Sequence, residues 1–159
     1  KFGSHLNLIE TTIAENDNRK VKMGQRVIEA IKEHPEGKIA VLGLAFKGGT
    51  DDCRESPAID IIKEMIKYSR NIMVYDPKAL NNAKSILNNT VSYANDAEEA
   101  CTGADVAVIL TEWEDFRTLD LGRLAKIMNC AKIVDLRNML SADAVKQAGF
   151  EYQCIGQRK

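Results

Sequence analysis

The chain has 159 residues, 45% of them hydrophobic and 28% charged, with a formal net charge of −1. This is the composition of one ordinary folded domain, and its balanced charge leaves no electrostatic footprint for nucleic acid or an anionic membrane surface. No apolar run approaches the roughly 18 residues needed to cross a bilayer, so no membrane partner is expected and a cytoplasmic location is.

From about Leu6 to Glu33, the apolar residues Leu6, Ile9, Ile13, Val27, Ile28 and Ile31 recur at helical spacing and predict one long helix. At 1.5 Å per residue its ~28 residues would reach about 42 Å, more than a sheet of ordinary width covers. Part of its apolar face must pack elsewhere, which predicts a homodimer built on this helix. His34-Pro35-Glu36-Gly37 stops it. His5 and His34, isolated at segment ends, read as solvated residues rather than ligands.

After the stop, strands are expected at 38–44, 71–75, 91–93, 106–110, 132–135 and 151–155. Helices are expected at 57–68, 80–87, 97–101, 121–128 and 142–148. This alternation predicts an α/β fold, a Rossmann-like, mostly parallel sheet with helices on both faces. The boundary falls near residue 35, with a linking helix in 1–35 and the α/β domain in 36–159. Cys53, Cys101, Cys130 and Cys154 are too widely spaced for a zinc knuckle or redox pair. The last three sit in or beside apolar periodic segments and read as core thiols; no metal site is expected.

Gly43 to Pro57 is a charged, glycine-loosened loop between an apolar strand and an amphipathic helix, with Ser56 and Pro57 as helix-entry residues. Open α/β sheets bind ligands at such strand ends. Two common phosphate motifs fail here. Gly49 stands where a P-loop needs its lysine, and Ala45 stands where the dinucleotide fingerprint needs its second glycine. Asp76 mimics a ribose-binding acid, but Pro77 after it favours a turn role. Asp51 and Asp52 read as loop-capping carboxylates rather than an acid/base pair. Lys47 can bring a mobile ammonium to a pyrophosphate, and Arg137, emerging on the same sheet edge, offers a planar fork to a phosphate or a carbonyl.

Phe46-Lys47, Thr50-Asp51-Asp52 and Arg54-Glu55-Ser56-Pro57 occur in order with Tyr75-Asp76-Pro77, Thr111-Glu112-Trp113-Glu114-Asp115-Phe116 and Val134-Asp135-Leu136-Arg137-Asn138. Together they closely resemble the C-terminal domain of UDP-glucose 6-dehydrogenase and its nucleotide-sugar dehydrogenase relatives. Asn16-Asp17 matches the linking helix, and the similarity runs from about Leu8 to Gly156. Leu136 departs from the glycine of many members. The resemblance implies that Lys47, Phe46 and Arg137 contact a UDP-sugar and that Arg54 faces NAD across a cleft. It also implies that NAD is held mainly by an N-terminal domain not found in this sequence. The family's catalytic cysteine lies in another segment, so Cys53 is not the nucleophile. No catalytic residue is expected in this chain, which should not oxidise substrate by itself. UDP-N-acetylmannosamine or GDP-mannose dehydrogenase domains are the alternatives within the family. A non-catalytic nucleotide-binding or dimerisation module is the alternative outside it.

Overall fold

The computed structural model describes residues 7–156, with side chains from Glu10 onward. In chain order the elements are α1 (Asn7–Ala30), β1 (Ile39–Leu42), α2 (Pro57–Met65), β2 (Ile72–Tyr75), α3 (Leu80–Leu87), β3 (Ser92–Tyr93) and α4 (Ala97–Cys101). They continue with β4 (Val106–Ile109), α5 (Glu114–Arg117), α6 (Leu121–Ile127), β5 (Lys132–Asp135), α7 (Ala142–Gln147) and β6 (Glu151–Cys154). The strands form one sheet in the order β3-β2-β1-β4-β5-β6, every neighbouring pair parallel. The expected "mostly parallel" sheet is therefore fully parallel. Its strand order reverses between β1 and β4, which places the ligand crevice of such sheets at their carboxyl ends.

The register shows why these short strands hold. Val74, Val41, Val108 and Val134 lie side by side across β2, β1, β4 and β5, and all are fully buried. Adjacent positions carry small residues, Ala40 beside Ala107. Branched side chains thus fill one face, while the other lets a helix approach closely. Right-handed crossovers put α2 and α3 on one face and α4, α6 and α7 on the other, in keeping with the contacts of α2 with α3 and of α4 with α6.

The long helix ends at Ala30 rather than Glu33. Ile31 N donates to Ile28 O at 3.1 Å and His34 N to Ile31 O at 2.8 Å, a tightened last turn forced by Pro35, which excludes the helical conformation from the residue before it. The second half of α1 is docked. An added Cβ on Gly24 would sit 2.9 Å from Glu64 Cβ of α2. Arg26 donates to Cys154 O at 2.7 Å, and Lys132 Nζ donates to Ala30 O at 2.9 Å. The first half is different: every residue from Glu10 to Arg19 is exposed. α5 was not expected from the sequence, since one turn of helix is too short to show periodicity. Among the described residues no helix is long and apolar enough to cross a membrane.

Two buried carboxylates tie down the loops at the carboxyl edge. Asp76, 1% exposed, accepts from Leu44 N, Ala45 N and Trp113 Nε1 on Oδ2, at 2.7, 3.0 and 3.0 Å. Its Oδ1 accepts from Lys78 N and Ala79 N at 2.9 and 2.8 Å. Asp135, fully buried, accepts from Arg137 N, Met139 N, Leu140 N and the Tyr152 hydroxyl. Burial, followed by the adjacent Asp135 carboxylate, pushes the Tyr152 hydroxyl's pKa up. Replacing Asp76 by Asn keeps the shape but turns one acceptor into a donor and removes the charge. We expect a loss of at least about 3 kcal/mol, seen as a lower urea midpoint at unchanged slope; a midpoint equal to that of the parent would contradict this assignment.

Candidate functional site

The β1–α2 loop and the residues after β4 and β5 form the carboxyl edge of the sheet. Gly43 sits at φ +99°, and an added Cβ would lie 2.6 Å from Thr111 Cβ, so β1 and β4 can meet here only through glycine. Thr111 Oγ1 then donates to Ala45 O at 2.8 Å, and Ser56 Oγ donates to Leu44 O at 2.8 Å while capping Ala58 N. Ser56 and Pro57 start α2 as the sequence predicts. Gly48 is required for another reason: a Cβ would fall 1.9 Å from Glu112 O. The loop therefore lies directly on the β4 exit.

The first four amides of this loop, Gly43 to Phe46, are already used. Gly43 N donates to Tyr75 O, Leu44 N and Ala45 N to Asp76, and Phe46 N to Asp52 O at 2.8 Å. A dinucleotide or P-loop cradle works through such amides. Here they point into the protein's own acceptors, which gives the failed motifs a physical reason. Asp76 is equally committed and cannot serve a ribose.

Phe46 is 53% exposed, and Lys47 is exposed with no ion pair or hydrogen bond among the described residues. Phe46 lines a shallow depression with Asp52, Arg54 and Glu55. A separate groove of about 760 Å³ is walled by Asn16, Arg19, Lys20 and Met23 of α1, by Pro57, Asp60 and Ile61 of α2, and by the strand ends Leu110, Leu136 and Ile155, with Arg137 at its rim. Glu55 borders both concavities. The structure thus brings Phe46 and Arg54 together and sets Arg137 in the neighbouring groove. Lys47 lines neither, standing on the loop beside Phe46.

Arg137 forms an ion pair with Glu112 Oε2 across the ends of β5 and β4. Glu112, quoted from sequence only as part of a motif, and the α1 cation Arg19 were assigned no role there, because each becomes relevant only through contacts between distant segments. Lys20, also in the groove wall, bridges Asp17 and Asp60 at 2.9 and 2.8 Å. Cys53 is 3% exposed, its Sγ donating to Ala79 O at 3.7 Å, and burial pushes its pKa up to about 11. A thiol so held is a poor nucleophile. Cys101 and Cys154 are buried, but Cys130, expected in the core, is only half-buried. Trp113 and Phe116 pack over the sheet end, Tyr75 meeting Phe116 edge-on at 6.3 Å.

Residues 40–142 match the sequence profile described as the UDP binding domain of the UDP-glucose/GDP-mannose dehydrogenase family. The chain belongs to the UDP-glucose/GDP-mannose dehydrogenase family. It is 45% identical over 150 residues to the UDP-glucose 6-dehydrogenase of Rhizobium meliloti, covering 94% of this chain and 34% of that protein. It is 37% identical to that of Rickettsia bellii, covering 95% of this chain and 35% of that one. The fold superposes on a UDP-D-ManNAc dehydrogenase from Pyrococcus horikoshii with a TM-score of 0.80 at 28% identity, over 98% of this chain and 35% of that chain. The chain spans about a third of the length of the curated relatives it matches.

Arg54, 88% exposed at its side chain, grips Asp52 through Nε at 3.0 Å and Nη2 at 2.8 Å. Its guanidinium, followed by the Arg54 amide, holds the Asp52 carboxyl down at about 2. Because the folded value is depressed, the stability this pair contributes is present above the ordinary value of 3.8 and is lost as pH falls through about 2. In Arg54→Ala, carboxyl NMR titration should show Asp52 returning towards its ordinary value. An unmoved titration would remove Arg54 as the cause.

Proposed function

We propose that this chain is the nucleotide-sugar-binding C-terminal part of an NAD-dependent UDP-glucose 6-dehydrogenase, which takes UDP-glucose, two NAD and water to UDP-glucuronate and two NADH. One observation carries the reading: the first four amides of the β1–α2 loop are taken by the protein's own acceptors, Leu44 N and Ala45 N by Asp76, so a diphosphate cannot use them and meets the cationic side chains that stand above them. Lys47 supplies a mobile charge for the pyrophosphate, Arg137 a planar fork for a phosphate or uracil carbonyl, and Phe46 an exposed ring for the nucleotide to pack on. The same spent amides leave this chain's own loop unfit to hold NAD, which accepts the two hydrides when bound elsewhere in the protein. Arg54, exposed on the outer side of the loop, is the contact from this domain towards that cofactor. The similarity to UDP-glucose 6-dehydrogenases supports UDP-glucose over the other nucleotide-sugars of the family.

The domain 36–159 supplies the ligand site, and the 1–35 segment links and dimerises. Ile13 and Val21 are exposed apolar residues on α1, 57% and 39% accessible, and a second copy of the helix is the occupant that fits them. Four unpaired thiols suit a cytoplasmic setting. Sedimentation at tens of micromolar should find a dimer; a monomer would remove the helix from that role.

Calorimetric titration with UDP-glucose, GDP-mannose and ATP tests the ligand. UDP-glucose should bind weakly and in preference, whereas a pure assembly module would bind none. Lys47→Ala and Arg137→Ala should each weaken UDP-glucose binding by about 1.5–3 kcal/mol, the range for a hydrogen bond to a charged group, without unfolding the chain. No NADH should form from UDP-glucose and NAD, because oxidation needs a nicotinamide held against the sugar and a reactive thiolate. Turnover that vanished in Cys53→Ser would overturn that part of the reading.

A further inference from the structure

We propose that His34, Asp105 and Cys130 form a divalent transition-metal site of the zinc class at the amino-terminal edge of the sheet, opposite the nucleotide edge. The sequence suggested no such site, because the three residues come from the turn after α1, the entry to β4 and the entry to β5. The fold puts one donor atom of each within 4.8 Å of the other two. Cys130 Sγ lies 3.7 Å from Asp105 Oδ1. Tetrahedral zinc with a Zn–S bond of about 2.3 Å and a Zn–O bond of about 2.0–2.2 Å sets sulfur and oxygen roughly 3.5 Å apart. The sulfur–oxygen edge is therefore nearly formed. His34 is exposed, so its ring is able to turn the remaining distance.

The surroundings hold the ligands from behind. Lys38 N donates to Asp105 Oδ2 at 2.8 Å, and Asp105 N donates to Lys38 O at 2.8 Å. One carboxylate oxygen is thereby oriented by a backbone amide while Oδ1 faces the thiol, as ligating carboxylates are held in metal proteins. Asn129 N and Cys130 N both donate to Ala104 O, at 2.9 and 3.4 Å, fixing the cysteine beside the aspartate. Gly37 N donates to His34 O at 2.8 Å, and an added Cβ on Gly37 would come 2.9 Å from Asp105 Oδ2. Only glycine leaves the carboxylate room beside the histidine's turn. Lys132, the nearby cation, is engaged by Ala30 O and Glu151. Thiolate, imidazole and carboxylate together favour zinc or cobalt over magnesium or calcium, and Cys130 gives its proton to solvent as the thiolate binds. Three protein ligands leave a fourth position for water. Because the ligands lie on the turn after α1 and on the segments that enter β4 and β5, the ion would clasp the exit of the long helix to the sheet.

Cobalt(II) is the spectroscopic probe for the EDTA-treated, dialysed chain. One equivalent should produce a thiolate-to-cobalt charge-transfer band in the near ultraviolet and intense visible bands of a tetrahedral ion, displaced by zinc and not by magnesium. Zinc should raise the melting temperature of the parent. Cys130→Ser and His34→Ala, both mild changes whose folding is checked by circular dichroism, should lose the band and the zinc-dependent rise. Their zinc affinity should fall by more than the roughly 10- to 100-fold that loss of an outer partner costs. A parent with no thiolate band, or a band that survives in either variant, overturns the site.

Discussion

The five hydrogen bonds converging on the Asp76 carboxylate decide what the carboxyl edge of this protein can be. A buried charge is costly unless its lone pairs are met, and here two amides of the β1 loop, two of the turn after β2 and the Trp113 indole meet them. The carboxylate fastens three loops to one point. It also takes two of the amides, Leu44 N and Ala45 N, with which a related fold would cradle a diphosphate. On the proposed reading, ligand recognition moves outward, towards side chains. Asp135 repeats the device on the other side of the switch point, gathering the Arg137, Met139 and Leu140 amides and so fixing the backbone from which the Arg137 side chain projects.

The alternation of elements was legible because each strand and helix carries its own period, and the core row Val74-Val41-Val108-Val134 is a run of β-branched residues in every case. Boundaries were less so: α2 ends at Met65 rather than near Tyr68, where the chain goes over into a turn closed by Tyr68 N and Ser69 N on Met65 O. Asp76 shows where local reading stops. Its capping of Lys78 and Ala79 is an ordinary turn and was foreseen, but its other three donors arrive from β1 and β4 loops that only the sheet order brings near. His34 is the same case: isolated in sequence, it gains Asp105 and Cys130 because β4 and β5 begin beside the end of α1.

α1 does two mechanical jobs along one length. Its second half is fastened to the domain by close packing of Gly24 on α2, by Arg26 on Cys154 O and by Lys20 on Asp60, while its first half is exposed from Glu10 to Arg19. The same helix walls the groove at the carboxyl edge through Asn16, Arg19 and Met23. A shift of α1 would therefore reshape that groove directly, with no intermediate element needed to carry the change.

The cations of the candidate site differ in what they must give up to meet an anion. Arg137 is paired with Glu112, Arg54 with Asp52 and Lys20 with Asp17 and Asp60. Each acid keeps its partner's head group in place, and each pair must open or share before the charge is available. Lys47 has no such partner among the described residues and stands free on a loop held from beneath by Asp76. On the proposed reading, then, Lys47 acts through charge alone, with little geometry to lose. Arg137 acts as part of a couple, and its removal would also leave the Glu112 carboxylate facing an incoming phosphate. Truncating one member of a partly shielded ion pair costs more than the contact it made, because the remaining charge is stranded. Lys47 and Arg137, both assigned to the nucleotide-sugar from sequence, are in the folded chain physically unequal.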